Sequence, residues 1–142
     1  METDPVVVHL KIPCEPQAVA AVSAAAELFA QRASMELGPR AALVAAAEEA
    51  CRITMNHVRS GGSLCVIVNG YADRVEICFE YQGDPVPSVG LETFAMLGGD
   101  DASAQNATGL MLLTLVDRVQ YQTSDGTQRV TLVKYVPAAA AK

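Results

Sequence analysis

Basic residues are scarce in this sequence. Ten lysines and arginines stand against 16 aspartates and glutamates, which gives the 142 residues a formal net charge of −6. Proteins that bind DNA or RNA neutralise the phosphates with a basic surface, and the basic residues here form no cluster. We therefore expect no direct nucleic-acid partner, and an acidic surface suits a protein that binds other proteins.

Long apolar runs are absent as well. No segment approaches the roughly 20 consecutive apolar residues that a transmembrane helix needs, and the richest one, residues 18–26, consists mostly of alanine. The first residues also lack the basic region of a signal peptide. These features predict a cytoplasmic protein without a membrane partner.

Closely spaced cysteines and histidines are missing too. The four cysteines are Cys14, Cys51, Cys65 and Cys78, and no two of them form a CxxC motif. Each lies in an apolar segment, which predicts free, buried thiols. Because the chain has only two histidines, this spacing predicts no metal site of the zinc type.

The chain does contain enough apolar material for a core. Hydrophobic residues make up 51% of it, which argues against disorder, and its length predicts one domain over residues 1–142. We expect flexible ends at residues 1–4 and 137–142. Residues 82–107 hold several glycines and prolines, and an irregular loop of this length is typically a functional lid or a disordered segment.

Hydrophobic periodicity predicts strands and helices in a definite order. Alternating apolar residues predict strands, and apolar residues every three or four positions predict helices. The predicted strands are residues 6–12, 64–68, 74–80, 117–123 and 129–136, and the predicted helices are residues 15–34, 39–57 and 109–116. This order predicts an α+β fold, a two-layer sandwich with helices on one face of a mostly antiparallel five-stranded sheet.

The longest predicted helix, residues 39–57, carries the densest set of polar groups. Its predicted apolar stripe consists of Val44, Ala47, Cys51, Met55 and Val58. Glu49 and Asn56 fall on the opposite side at helical spacing. Two interpretations of that side remain open: it is solvated, as in most amphipathic helices, or Glu49 and Asn56 line a pocket.

Several strings occur in the order and spacing of a known family. They are Lys11-Ile12-Pro13, Glu49-Ala50-Cys51, Gly109-Leu110 before an apolar helix, and Asp117-Arg118-Val119 followed by Asp125-Gly126-Thr127. Over residues 6–136 the sequence resembles GHKL (Bergerat-fold) ATPase domains, and in particular the bacterial anti-sigma-factor serine kinases of partner-switching pathways. The resemblance implies ATP and Mg²⁺ as cofactors, an ATP lid over residues 82–107, and a homodimer.

The resemblance also assigns roles to the polar side of the central helix. Glu49 matches the family's general base, a carboxylate that accepts the proton of a serine hydroxyl. Ile53 stands where the family has a Mg²⁺-binding asparagine, and an isoleucine offers no oxygen to a hard cation. Asn56 lies three residues further on and is the candidate replacement ligand for Mg²⁺.

Both glycine boxes of the family are altered in this sequence. Tyr81 stands where the family has the aspartate that binds the adenine amino group, and a tyrosine is large enough to fill the adenine space itself. Gly83 keeps the glycine of this first box. The second box is reduced to Thr108-Gly109-Leu110, although a helix start beside one glycine still favours anions. Thr127 matches the family's late threonine near adenine, and threonine is also common in strands for packing reasons.

Three functional hypotheses follow from these residues. The first is an anti-sigma-factor-like regulator that acts mainly by protein binding, with impaired or absent ATP binding. It would bind a sigma factor or a related regulator and be released by a STAS-domain anti-sigma antagonist. The second is an active ATP-dependent serine/threonine protein kinase that phosphorylates such an antagonist with Glu49 as base and Asn56 as Mg²⁺ ligand. The third is a dimerising structural domain whose pocket takes another small ligand; the replaced Mg²⁺ ligand and adenine anchor favour the first.

Overall fold

Five strands form one sheet in the structure, a computed structural model that describes residues 5–86 and 111–136. The strands are β1 (Val6–Pro13), β2 (Ser63–Gly70), β3 (Arg74–Gln82), β4 (Arg118–Ser124) and β5 (Thr127–Tyr135). Their order across the sheet is β1-β2-β3-β5-β4, and every neighbouring pair is antiparallel. The prediction of an α+β fold with an antiparallel five-stranded sheet is confirmed.

Two long helices lie between the first and second strands. They are α1 (Val19–Arg32), which follows a short 3₁₀ turn (Pro16–Ala18), and α2 (Leu37–Met55). Proline suits the start of such a turn because a backbone N–H at this position would have no partner within the turn, so nothing is lost when proline lacks it. Residues 111–115 are also helical. No helix in the described ranges is long and apolar enough to cross a bilayer.

Some predictions fall on residues outside the described ranges. These are the flexible ends at residues 1–4 and 137–142, the lid-like loop from residue 87 onwards, and the reduced glycine box Thr108-Gly109-Leu110. The start of the predicted helix at residues 109–116 lies there too.

One face of the sheet carries the apolar core. On β3 the alternation predicted from the sequence is confirmed, since Val75, Ile77 and Phe79 are all fully buried. Their neighbours on the adjacent strands, such as Val66 and Leu132, belong to the same buried cluster. We call this side the helix face, and the opposite side, which carries charged pairs such as Glu80 with Arg129, the open face.

The buried surface of α2 differs from the predicted stripe. The helix buries Leu43, Ala46, Ala47, Ala50, Cys51 and Thr54. Val44 and Met55 are only partly buried, and Val58 lies beyond the helix end. The reason is that α2 contacts both α1 and the sheet, so a broader arc is covered and small alanines fill it. The buried hydroxyl of Thr54 donates to the carbonyl of Ala50 at 2.8 Å, which satisfies it within the helix.

Two turns show why the strand boundaries differ from the predicted ones. The β4–β5 hairpin turns on Asp125 and Gly126, whose φ angles are 52° and 81°, as a two-residue turn requires. Asn69-Gly70 is a strong turn signal in the sequence, yet β2 continues through Gly70. A Cβ atom at Gly70 would lie 2.9 Å from the ring of Phe29, so this glycine serves close packing and not a turn.

The prediction of buried thiols is correct for two cysteines and wrong for the other two. Cys51 and Cys78 are buried, whereas Cys14 and Cys65 are exposed, and all four are free. Cys14 follows the end of β1, and Cys65 is directed to the open face because its neighbours Leu64 and Val66 are buried on the helix face.

Truncating Phe79 to alanine should lower the free energy of unfolding by about 3 to 5 kcal/mol, because it leaves a cavity between the sheet and the helices. Urea denaturation followed by circular dichroism measures this change. Leu28→Ala is the control: Leu28 is 52% exposed, so its truncation should change stability by less than about 0.5 kcal/mol. A loss below about 1 kcal/mol for Phe79→Ala would contradict its place in the core.

Candidate functional site

A polar groove lies where α2, β3 and the β4–β5 hairpin end together. Its volume is about 610 Å³, and it is lined by residues 56–60 after α2, by residues 82–84 at the end of β3, and by Asp125 and Gly126 of the hairpin. Of the site residues predicted from the sequence, Asn56 and Gly83 line this groove. Glu49, Ile53 and Tyr81 are not among its lining residues.

Gly83 lies where two backbone segments meet. The amide of Asp84 donates to the carbonyl of His57 at 3.0 Å, and the amide of Arg59 donates to the carbonyl of Gln82 at 2.8 Å. A Cβ atom at Gly83 would lie 2.0 Å from the His57 carbonyl oxygen. The glycine is therefore required by contact between protein backbones, a reason that the sequence alone does not show.

Tyr81 is a core side chain in this structure. It is 3% exposed and belongs to the buried cluster on the helix face. Its hydroxyl donates to the carbonyl of Asp84 at 2.7 Å, which satisfies the polar end of the ring. Burial raises the pKa of Tyr81 to about 12, since an ionised phenol is poorly solvated there.

Gln128 supports the groove from behind, and the sequence analysis missed it. It lies directly opposite Tyr81 on β5 and is 5% exposed. Its amide nitrogen donates to the carbonyl of Gly83 at 3.1 Å, and its amide oxygen accepts from the hydroxyl of Thr123 at 2.6 Å. The signal for it was present: Gln128 occupies the inward position of an alternation that continues with buried Val130.

Thr127 lies on the other side of the sheet. It pairs with Gln82, whose amide nitrogen donates to the Thr127 hydroxyl at 3.3 Å. Tyr81 and Gln128, one residue away on each strand, are directed to the helix face because strand side chains alternate. The structure therefore does not bring Thr127 and Tyr81 into one cavity, contrary to the expectation that both lie beside a base.

The remaining predicted residues follow the outer side of α2. The carboxylate of Glu49 lies 3.8 Å from the guanidinium of Arg52, and the Glu49 side chain is 29% exposed. Ile53 is partly buried and packs against the core. Asn56 is exposed at the end of the helix. His57 places its Nδ1 atom 2.9 Å from the carbonyl of Ile53, which is a structural contact at a helix end.

The described residues do not fit a nucleotide with Mg²⁺. Ile53 offers no oxygen to the cation, and no group of three His, Cys, Asp or Glu side chains placed to hold a metal ion occurs in the described ranges. Tyr81 and Gln128 already bond to the protein at the end of the sheet where the resemblance would place a base.

Comparison with known proteins gives information on the fold of this chain. No protein-family model matches the chain, and no curated protein matches it. Among solved structures it is similar to the crystal structure of the RsbU and RsbW domains of Rv1364c from Mycobacterium tuberculosis, with a TM-score of 0.62 and 17% sequence identity. The likeness shows the fold. It covers 96% of this chain and 34% of that chain, so this chain spans about a third of the other's length.

Replacing Gly83 with alanine should destabilise the protein by about 3 kcal/mol or more, because the added Cβ clashes with backbone and the residue has a positive φ. Thermal unfolding measures the effect. Gly61→Ala is the matched control, since Gly61 has a φ of 81° and open space around it. The control should lose only about 1 to 2 kcal/mol, and equal losses at both positions would contradict the backbone contact.

The buried phenol of Tyr81 should make stability fall at high pH. Its folded pKa of about 12 lies above the ordinary value of about 10. The neutral phenol therefore contributes fully below pH 10, and its contribution is lost as the pH rises towards 12. The free energy of unfolding should fall by about 2 kcal/mol more between pH 10 and 12 in the wild type than in Tyr81→Phe.

Denaturant titrations at several pH values check this prediction. Burial also raises the pKa of Cys51 to about 11, but this thiol is present in both proteins and cancels in the comparison. If the free energy of unfolding fell equally with pH in the two proteins, the prediction would be wrong, and Tyr81 would titrate as an exposed tyrosine does.

Proposed function

We propose that this protein is an anti-sigma-factor-like regulator of a bacterial partner-switching pathway, which acts in the cytoplasm by protein binding with impaired or absent ATP binding. One observation carries the proposal: Tyr81 is buried and bonded to the protein's own backbone at the site where the resemblance requires an aspartate open to a base. The fold shared with the RsbU and RsbW domain structure supports it.

The partners follow from the same proposal. They are a sigma factor or a related regulator, an antagonist with a STAS domain that releases it, and a second copy of this chain in a homodimer. The net charge of −6 suits association with proteins and disfavours phosphate-rich nucleic acid. Glu49, the residue matched to a general base, then needs no catalytic role, and its contact with Arg52 is that of a solvated helix carboxylate.

Calorimetric titration with ATP and Mg²⁺ tests the proposal. The wild type should give no saturable heat of binding. Ile53 supplies no oxygen ligand for Mg²⁺, and Tyr81 supplies no carboxylate to accept a hydrogen bond from the adenine amino group. The Tyr81→Asp, Ile53→Asn double variant is titrated alongside, and heat in this variant alone would trace the loss of binding to these two side chains. Saturable binding by the wild type would reject the proposal and favour an active kinase with Asn56 as Mg²⁺ ligand.

A partner assay completes the test. Complexes of the purified protein with the sigma factors of its own genome, separated by size exclusion, should form equally well with and without ATP. Glu49→Gln serves as the control, since removing the matched base should leave these complexes unchanged. Complexes that form only with ATP would contradict a nucleotide-independent binder.

A further inference from the structure

Side chains from two strands bond to the short segment that follows β3. From β3 the hydroxyl of Tyr81 donates to the carbonyl of Asp84, and from β5 the amide of Gln128 donates to the carbonyl of Gly83. On its other side, the segment is bonded to the residues after α2, where the amide of Asp84 reaches the carbonyl of His57. Residues 82–84 are thus held from the sheet and from the helix end at once.

We propose that Tyr81 and Gln128 form a latch that holds residues 82–84 against the end of α2 in the absence of any ligand, with Gln128 as the positioning residue. The inference rests on the proposed function and deepens it. A regulator that binds proteins without a nucleotide needs this end of the molecule formed beforehand, and the latch supplies a preformed wall for the groove beside it.

The burial of Gln128 is the first argument for this role. An amide buried in an apolar layer is unfavourable unless its donor and its acceptor are both satisfied. Here the amide nitrogen donates to the carbonyl of Gly83, and the amide oxygen accepts a hydrogen bond from the hydroxyl of Thr123. An apolar side chain at position 128, like those of Val130 and Leu132 on the same strand, would suit the core equally well. It would, however, leave the carbonyl of Gly83 without this hydrogen bond.

The position of the bond is the second argument. The backbone pairing between β3 and β5 ends at Gln82 and Thr127. The Gln128 side chain reaches one residue beyond that end and bonds Gly83, so it continues the attachment where the ladder has stopped. Tyr81 then extends the attachment to Asp84. Both side chains therefore act on the groove wall, since Gly83 and Asp84 line the groove.

Amide hydrogen exchange measured by NMR without nucleotide or partner tests the latch. Gln128→Leu keeps the volume and removes both hydrogen bonds. The amides of Asp84 and Arg59, which bond the segment to the residues after α2, should exchange at least about fivefold faster relative to the amide of Val66 on central strand β2. Gln122→Leu is the matched control on the neighbouring strand. Gln122 is exposed, so both ratios should stay at the wild-type value.

Two results would overturn the latch. One is an unchanged exchange ratio for Asp84 and Arg59 in Gln128→Leu. The other is an equal acceleration of these amides and of Val66, which would mean that Gln128 contributes only to global stability. Neither result depends on nucleotide binding, so failure of the latch is distinguishable from failure of the proposed function, which the ATP titration of the wild type decides.

Discussion

The contact between the end of α2 and the end of β3 is the constraint on which the rest of the structure depends. The carbonyl of His57 accepts a hydrogen bond from the amide of Asp84, and this close approach leaves no space for a side chain at Gly83. The contact anchors the helix end to the sheet. Because the helix is anchored there, its buried alanines approach α1 and the sheet closely, and larger side chains such as Phe29 and Phe79 fill the rest of the core between the two layers.

Side-chain hydrogen bonds near this contact limit the chemistry of the site. The hydroxyl of Tyr81, the amide of Gln128 and the Nδ1 atom of His57 all have partners within the protein. A site whose polar groups are already satisfied gains little from a small polar ligand, since each new bond must replace an existing one. Exposed groups such as Asn56 and Asp125 remain around the groove, and under the proposed function these would contact another protein.

Much of this arrangement could be predicted from the sequence, for physical reasons that also explain the failures. Strand alternation is a strong signal where one face is buried, as at Val75, Ile77 and Phe79. The buried face predicted for α2 is rotated from the observed one, because alanine is compatible with core and surface alike and so does not mark the buried side. Gln128 is missed because a polar residue in a strand usually marks the exposed side, although the alternation with buried Val130 gives it an inward position. Its hydrogen bonds to Gly83 and Thr123 are seen only in the structure.

The alanine-rich surface of α2 has a thermodynamic consequence for the whole domain. Alanine loses no side-chain rotamer entropy when it is buried, so packing Ala46, Ala47 and Ala50 opposes folding little. Each also exposes little apolar area when the chain unfolds. The increase in heat capacity on unfolding follows the apolar area exposed, so it arises mainly from the larger buried side chains of the sheet and the helices, such as Phe79 and Phe29. The alanines of α2 accordingly contribute little to the curvature of stability with temperature.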